Sequence, residues 1–160
     1  MSKYNNVKDT WVKEALEEYK DKIDNQKSHP LDVSSYRVDK PWGYEVWLEL
    51  NEFYAYKIIF MKAGNRSSLQ SHEKKIETNF VIEGEAEVIL EKDDGTLESK
   101  IYKAGEGWCV PVNRKHRVCA VTDYKALECS TAHLNDCLRF EDDSNRKSGK
   151  IVSEHEQNKK

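Results

Sequence analysis

Gly64-Asn65-Arg66-Ser67-Ser68-Leu69-Gln70-Ser71-His72-Glu73-Lys74-Lys75-Ile76-Glu77-Thr78-Asn79-Phe80-Val81-Ile82-Glu83-Gly84 is the stretch on which the reading of this chain turns. Gln70 and His72 stand two residues apart, so on a strand they point to the same face. Glu77 follows across an expected turn, at the start of a second strand. A second segment, Gly105 to His116, contains Pro111 and ends in a histidine at a strand start. Bringing the two segments together gathers an amide oxygen, two imidazoles and a carboxylate. Two nitrogens and two oxygens suit a borderline divalent ion such as Zn, Mn, Fe, Co or Ni. Gln70, His72, Glu77 and His116 are therefore the candidate metal ligands, with open positions left for water or substrate.

Outward from this stretch, residues 36–131 read as short strands and turns. Tyr44–Leu50 alternates, Ala86–Leu90 alternates in part, and Phe53–Met61 is rich in aromatic and β-branched residues. Asp93-Asp94-Gly95 separates Glu85–Lys92 from Thr96–Lys103 and is a hairpin signal. Gly64, Gly84, Gly105 and Gly107 mark further turns, and Trp108–Val112, His116–Thr122 and Lys125–Thr131 complete the series. About eight strands with no helix between them predict an all-β sandwich or barrel. Pro111 belongs at a strand edge or end.

The flanks differ. Trp11, Ala15, Tyr19 and Ile23 recur every four residues, which predicts a helix over residues 8–26. Ser28-His29-Pro30 ends it. Ile151 and Val152 are the large aliphatics of residues 147–160, which read as a mobile polar tail. The expected organisation is an N-terminal helix and linker over 1–35, a β-barrel over 36–146 and the tail over 147–160. With 160 residues, 38% of them hydrophobic and 34% charged, the chain forms one domain with one core. A net charge of −3 gives no general attraction to nucleic acid or anionic lipid. No apolar run approaches a membrane span, and the first residues lack the apolar region of a signal peptide. A cytoplasmic location follows as an expectation, with Cys109, Cys119, Cys129 and Cys137 as reduced thiols.

The two segments resemble the paired motifs of the cupin superfamily: Gly64, Gln70-Ser71-His72, Glu77 and Gly84 in the first, and Gly105, Pro111 and His116 in the second. Gln70 replaces the first histidine, and Asn113 replaces a glycine. The resemblance implies a jelly-roll barrel. A narrower one is to type II mannose-6-phosphate isomerases. It rests on Lys40-Pro41-Trp42-Gly43, on Ser68-Leu69-Gln70-Ser71-His72 and on Arg139-Phe140-Glu141-Asp142, and covers about residues 36–146. After the histidine those enzymes usually read His-His-Arg-Ala-Glu-His-Trp, where this chain has Glu73-Lys74-Lys75-Ile76-Glu77-Thr78-Asn79. The segment Leu127–Thr131 with Arg139–Asp142 is closer to small standalone cupins found beside sugar-nucleotide genes.

The resemblance implies a metal-dependent isomerase of a phosphorylated or nucleotide-linked sugar. The alternative is a cupin that binds metal and sugar without turnover, in a sugar-nucleotide or polysaccharide pathway. A metal-dependent oxygenase ranks third, because such sites commonly use more histidines. Lys57 shares a strand face with Ile59 and Met61 and either points into the barrel, where it could hold a phosphate or, with a depressed pKa, move a proton, or snorkels to the rim. Glu128 is a candidate general base or a partner of Lys57. Arg66 and Arg139 are candidate phosphate clamps or surface ion pairs. Trp42, Trp47 and Trp108 read as core or interface aromatics in preference to sugar-stacking platforms. A homodimer is expected, because the N-terminal apolar stripe needs a surface to cover.

Overall fold

A computed structural model of the chain describes residues 35–156. The helix expected over residues 8–26 lies outside the described residues. The strands are β1 (Tyr36–Lys40), β2 (Gly43–Leu50), β3 (Tyr54–Met61), β4 (Leu69–Ser71), β5 (Glu77–Glu83), β6 (Glu85–Glu91), β7 (Leu97–Lys103), β8 (Gly107–Val110), β9 (His116–Ala120), β10 (Tyr124–Thr131) and β11 (Leu138–Glu141). One short helix, α1 (Val152–Glu156), follows them. The strands form two antiparallel sheets with orders β1-β2-β3-β10-β5-β8 and β11-β4-β9-β6-β7.

Alternation sorts each strand into an inner and an outer face. On β3, Ala55, Lys57 and Met61 are buried while Tyr54 is exposed. On β10, Tyr124, Ala126, Glu128 and Ser130 are buried and Lys125, Leu127 and Cys129 are not. Met61, Val81, Val110, Tyr124 and Ala126 from one sheet meet Ala86, Val88 and Ala120 from the other, with Trp42 and Trp108 in the same core. A smaller cluster joins Val38, Trp47 and Ala55. All three strand-region tryptophans are thus core residues, as expected. The four cysteines form no disulfide.

Two turns fix the site's approach. Gly84 joins β5 to β6 with φ 77°, and a Cβ there would run into the Asp123 carbonyl. Asn113, the replacement for a motif glycine, adopts φ 58°, a left-handed conformation that asparagine tolerates. Its amide donates to the His72 carbonyl at 2.6 Å, tying the loop before His116 to the strand end that carries His72. Pro111 falls just past β8, where no ladder donor is needed.

The C-terminal segment differs from the expected mobile tail. Gly149 N donates to the Cys137 carbonyl at 2.8 Å, α1 packs against β1, and His155 is buried edge-on to Trp47 at 5.4 Å. Aliphatic content underestimates this segment because it is held by charge. Glu154 pairs with Lys40 at 2.7 Å and with Arg146 at 3.6 Å. Residues 157–160 lie outside the described residues. No helix among the described residues is long and apolar enough to cross a membrane.

Candidate metal centre and charge ladder

His72 follows the end of β4, Glu77 opens β5 and His116 opens β9. Gln70 pairs with His116 across β4 and β9, so the two motifs meet through one rung of the ladder. Ligand atoms of His72, Glu77 and His116 all lie within 4.8 Å of one another, and all three residues are buried. His72 Nε2 is 3.0 Å from Glu77 Oε1, and His116 Nε2 is 3.7 Å from Glu77 Oε2. The imidazole rings are 5.1 Å apart and tilted by 48°.

The opposite ring nitrogens set the tautomers. His72 Nδ1 meets the Asp136 carbonyl, and His116 Nδ1 meets the Arg114 carbonyl at 3.1 Å. A carbonyl only accepts, so each Nδ1 carries the proton and each Nε2 turns a lone pair inward. His72 Nε2 has no hydrogen-bond partner. Two imidazole lone pairs and a carboxylate converge in a buried space. A divalent cation matches this donor set, with the carbonyls as outer partners that orient the rings.

The electrostatics agree. Burial pushes His116 below the usual imidazole value, which keeps it neutral. Burial raises Glu77, but the Lys75 ammonium leads the effects that outweigh it and hold the carboxyl well below its ordinary range. Lys75 is a site residue that the sequence reading missed. Its ammonium is ion-paired with Glu77 and lies 3.9 Å from Glu128. Asp136 was also missed. Its carboxylate accepts from the amides of Glu73, Lys74 and Lys75 at 2.9, 2.6 and 2.7 Å and folds the loop that presents Lys75 and Glu77.

Gln70 borders the cluster but turns its oxygen away. Oε1 accepts from Ser68 Oγ at 2.7 Å and from Cys137 Sγ at 3.1 Å, while Nε2 faces His116 Nε2 at 3.4 Å. The structure therefore offers His72, Glu77 and His116 as a set, with the Gln70 amide beside it. Two nearby donors claim the oxygen that the spacing argument aimed inward.

A ladder of alternating charges runs from this centre to the barrel mouth. Lys57 Nζ lies 3.2 Å from both Glu128 Oε1 and Glu45 Oε1, and Glu45 Oε2 lies 3.6 Å from Lys40. Trp47 Nε1 donates to Glu45 Oε2 at 3.0 Å. Lys57, Glu45 and Glu128 are all buried. Lys57 thus points inward and does not snorkel. Burial favours a neutral Lys57, but Glu128, Glu45 and Glu77 more than reverse this and raise it above the ordinary lysine value. These carboxylates thus favour the charged ammonium over the depressed lysine that would move a proton. Burial also raises Glu45, but Lys57 and Lys40 bring it down to about 2. Glu128 goes the other way. Burial and then the Glu77 charge lift it above the usual carboxyl value, against Lys57 and Lys75. Its Oε1 has no hydrogen-bond partner, because Lys57 lies at ion-pair distance without hydrogen-bond geometry.

The two arginines separate. Arg66 is half exposed and forks onto Asp143, with Nε at 2.6 Å and Nη2 at 3.0 Å, outside the cluster. Arg139 lines the mouth, but its guanidinium is spent on the carbonyls of Lys147 and Gly149 and lies 3.6 Å from Asp142. An inner cavity of about 80 Å³ reaches Glu77, His116 and Glu128, and a mouth cavity of about 110 Å³ reaches Lys40, Arg146 and His155.

Two antiparallel sheets around a buried His–Glu–His set define a cupin. The solved structures of two proteins agree on the fold. KdgF from Halomonas sp. matches with a TM-score of 0.54 and 16% identity, over 62% of this chain and 88% of that chain. Oxalate decarboxylase from Bacillus subtilis matches with a TM-score of 0.58 and 19% identity, over 72% of this chain and 33% of that chain. The chain thus spans about a third of that enzyme. It belongs to the family described as mannose-6-phosphate isomerase C-terminal, whose sequence profile matches residues 24–142. No curated protein sequence matches it.

Proposed function

We propose that the protein is a metal-dependent isomerase of a phosphorylated or nucleotide-linked sugar, of the mannose-6-phosphate isomerase kind. The observation that carries this reading is the placement of Glu128, with its raised affinity for a proton, in one inner cavity with Glu77 and His116. His72, Glu77 and His116 would hold the divalent ion. When bound, such an ion supplies Lewis acidity to the sugar's C1 and C2 oxygens. For a phosphorylated sugar with a free anomeric carbon, aldose–ketose isomerisation moves a carbon-bound proton between C1 and C2 and a hydroxyl proton between their two oxygens. Glu128 takes the carbon-bound proton on a carboxylate oxygen and returns it to the neighbouring carbon. Lys57 and Lys75 hold the Glu128 carboxylate in place and offset its charge between the two transfers. Val118, Trp108 and Tyr124 wall the same cavity and limit water around the enediol.

Incubation with mannose 6-phosphate or fructose 6-phosphate in D₂O is expected to place deuterium in the sugar. Chelation should stop it. Glu128→Gln should lower exchange by roughly 10²–10⁴-fold, the usual contribution of a general base. The departures around Lys74, Thr78 and Asn79 favour a second reading, a cupin that binds metal and sugar without turnover. Metal-loaded protein that binds a sugar phosphate yet exchanges no proton would establish it and end the isomerase reading.

We also infer a homodimer. On the outer face of the larger sheet, Val46, Ile58, Leu127 and Phe80 stand opposite one another across four strands, and Tyr44 stacks on Phe60 at 4.9 Å. Sedimentation at micromolar concentration should give twice the monomer mass. Phe80→Asp should shift the equilibrium to monomer by placing a charge in an apolar contact. A wild-type monomer would dismiss the dimer.

A further inference from the structure

The barrel mouth holds a second charge cluster that the isomerase chemistry does not use. Lys40 Nζ is 2.7 Å from Glu154 Oε2, and Arg146 Nη1 is 3.6 Å from Glu154 Oε1. The three side chains are only 10, 11 and 13% exposed for Lys40, Arg146 and Glu154. The other carboxylates within reach are already shared. Glu45 serves both Lys40 and Lys57, and Asp142 serves both Arg146 and Arg139. Without Glu154, Lys40 keeps only Glu45, which it shares with Lys57, and Arg146 keeps only Asp142, which it shares with Arg139, while Lys57 retains Glu128. Two largely buried cations that each hold half of a carboxylate favour an anion between them.

Glu154 is built as a removable occupant. Up to Gly149 the main chain is pinned to the barrel, by Arg139 N to Ser148 Oγ at 3.1 Å and by Gly149 N to Cys137 O at 2.8 Å. Gly149 then takes φ 86°, a left-handed joint. Beyond it, Lys150–Glu156 is held by the Glu154 ion pairs and by His155 against Trp47. With this segment docked, the inner and mouth cavities measure about 80 and 110 Å³. Ordinary ligand pockets span roughly 300–1,000 Å³. A phosphorylated sugar therefore requires the segment to move.

We propose that Lys40 and Arg146 form an anion subsite, occupied by the chain's own Glu154, and that a phosphate monoester displaces this carboxylate and lifts the Lys150–Glu156 strap off the mouth. A tethered carboxylate competes at millimolar effective concentration, so a free monocarboxylate does not dislodge it. A phosphate brings close to two charges and three acceptor oxygens to two cations, and does. That the anion is a sugar phosphate rests on the isomerase-type reading. The subsite itself rests on the charges alone. Glu45 links Lys40 to Lys57, so an anion held there orients the rest of a sugar toward the ladder and the inner cavity.

Hydrogen–deuterium exchange of residues 150–156 is to be followed in the wild-type chain with inorganic phosphate, mannose 6-phosphate or, at matched ionic strength, chloride. Exchange should rise by about tenfold or more with either phosphate and stay unchanged with chloride. By calorimetry, Glu154→Gln should bind inorganic phosphate on the order of tenfold more tightly, and Lys40→Met should lose it. A strap that stays protected under saturating phosphate, or a Glu154→Gln variant with no gain in affinity, overturns the inference. The two readings fail separately. Strap release by phosphate without proton exchange at C2 keeps the subsite and rejects the isomerase. Proton exchange at C2 with the strap still protected does the reverse.

Discussion

Replacing His72 and His116 together by alanine is expected to reduce bound divalent metal from about one equivalent per chain to background. Each histidine turns an Nε2 lone pair toward Glu77 because its Nδ1 is committed to a carbonyl, of Asp136 in one case and Arg114 in the other. Loss of an outer partner of this kind alone costs about 10–100-fold in metal affinity, and loss of the ligands costs more. Elemental analysis after dialysis of protein that has not met chelator gives the count. The Glu77→Gln variant keeps the shape of the site but removes the only anionic ligand of the set, so it should lose affinity as well. Equal metal in wild type and in the His72→Ala, His116→Ala variant would refute the assignment. Arg66→Ala provides the contrast. Its guanidinium is spent on Asp143 at the surface, and its metal content should match wild type.

The centre was legible in the sequence because its members obey local rules. Strand parity and two turn spacings are enough to bring His72, Glu77 and His116 together, whereas for Lys57, on the face of Ile59 and Met61, parity leaves an inward and a snorkelling direction open. Lys75 lies in the loop before β5, where strand parity says nothing of its direction. What remained hidden is long-range. Asp136 reaches back to the amides of residues 73–75 from beyond β10, and no local pattern announces it. Short strands carry too few residues for alternation to register, which is why β1 and β11 are visible only in the structure. The C-terminal segment misled for a different reason. Its sequence is polar, but Lys40 and Arg146 meet Glu154 there, and a hydropathy argument does not see charges that find partners. Lys57 shows the limit on the chemical side. Burial alone points to a depressed lysine, and only the carboxylates of Glu45 and Glu128, each at 3.2 Å, reverse the sign.

That reversal sets the second large effect. Lys57→Met should cost about 3–5 kcal/mol of stability at pH 7, the usual penalty for removing one member of a buried ion cluster. Methionine fills the space of the lysine stem, so the loss is electrostatic rather than a cavity. Glu45 and Glu128 are left as buried carboxylates with Lys40 and Lys75 as their remaining cations. The pH dependence identifies the cause. In the wild type Glu45 is held at about 2, below its ordinary 4.5, so its contribution is present above pH 4.5 and fades as the pH falls toward 2. In the variant, burial prevails and the folded state binds a proton that the unfolded chain releases. Its stability then rises as the pH falls through the carboxyl range. The gap between the two proteins should therefore be widest near neutrality and shrink below about pH 5. Adding Glu128→Gln to Lys57→Met removes one orphaned charge and should recover part of the loss, whereas Glu128→Gln alone trades the Lys57 ion pair against relief of burial and of the Glu77 repulsion and should gain much less. Urea unfolding of the four proteins between pH 4 and 8 checks both signs. A Lys57→Met deficit that does not change with pH would mean that packing, and not the ladder of charges, holds the interior of this barrel.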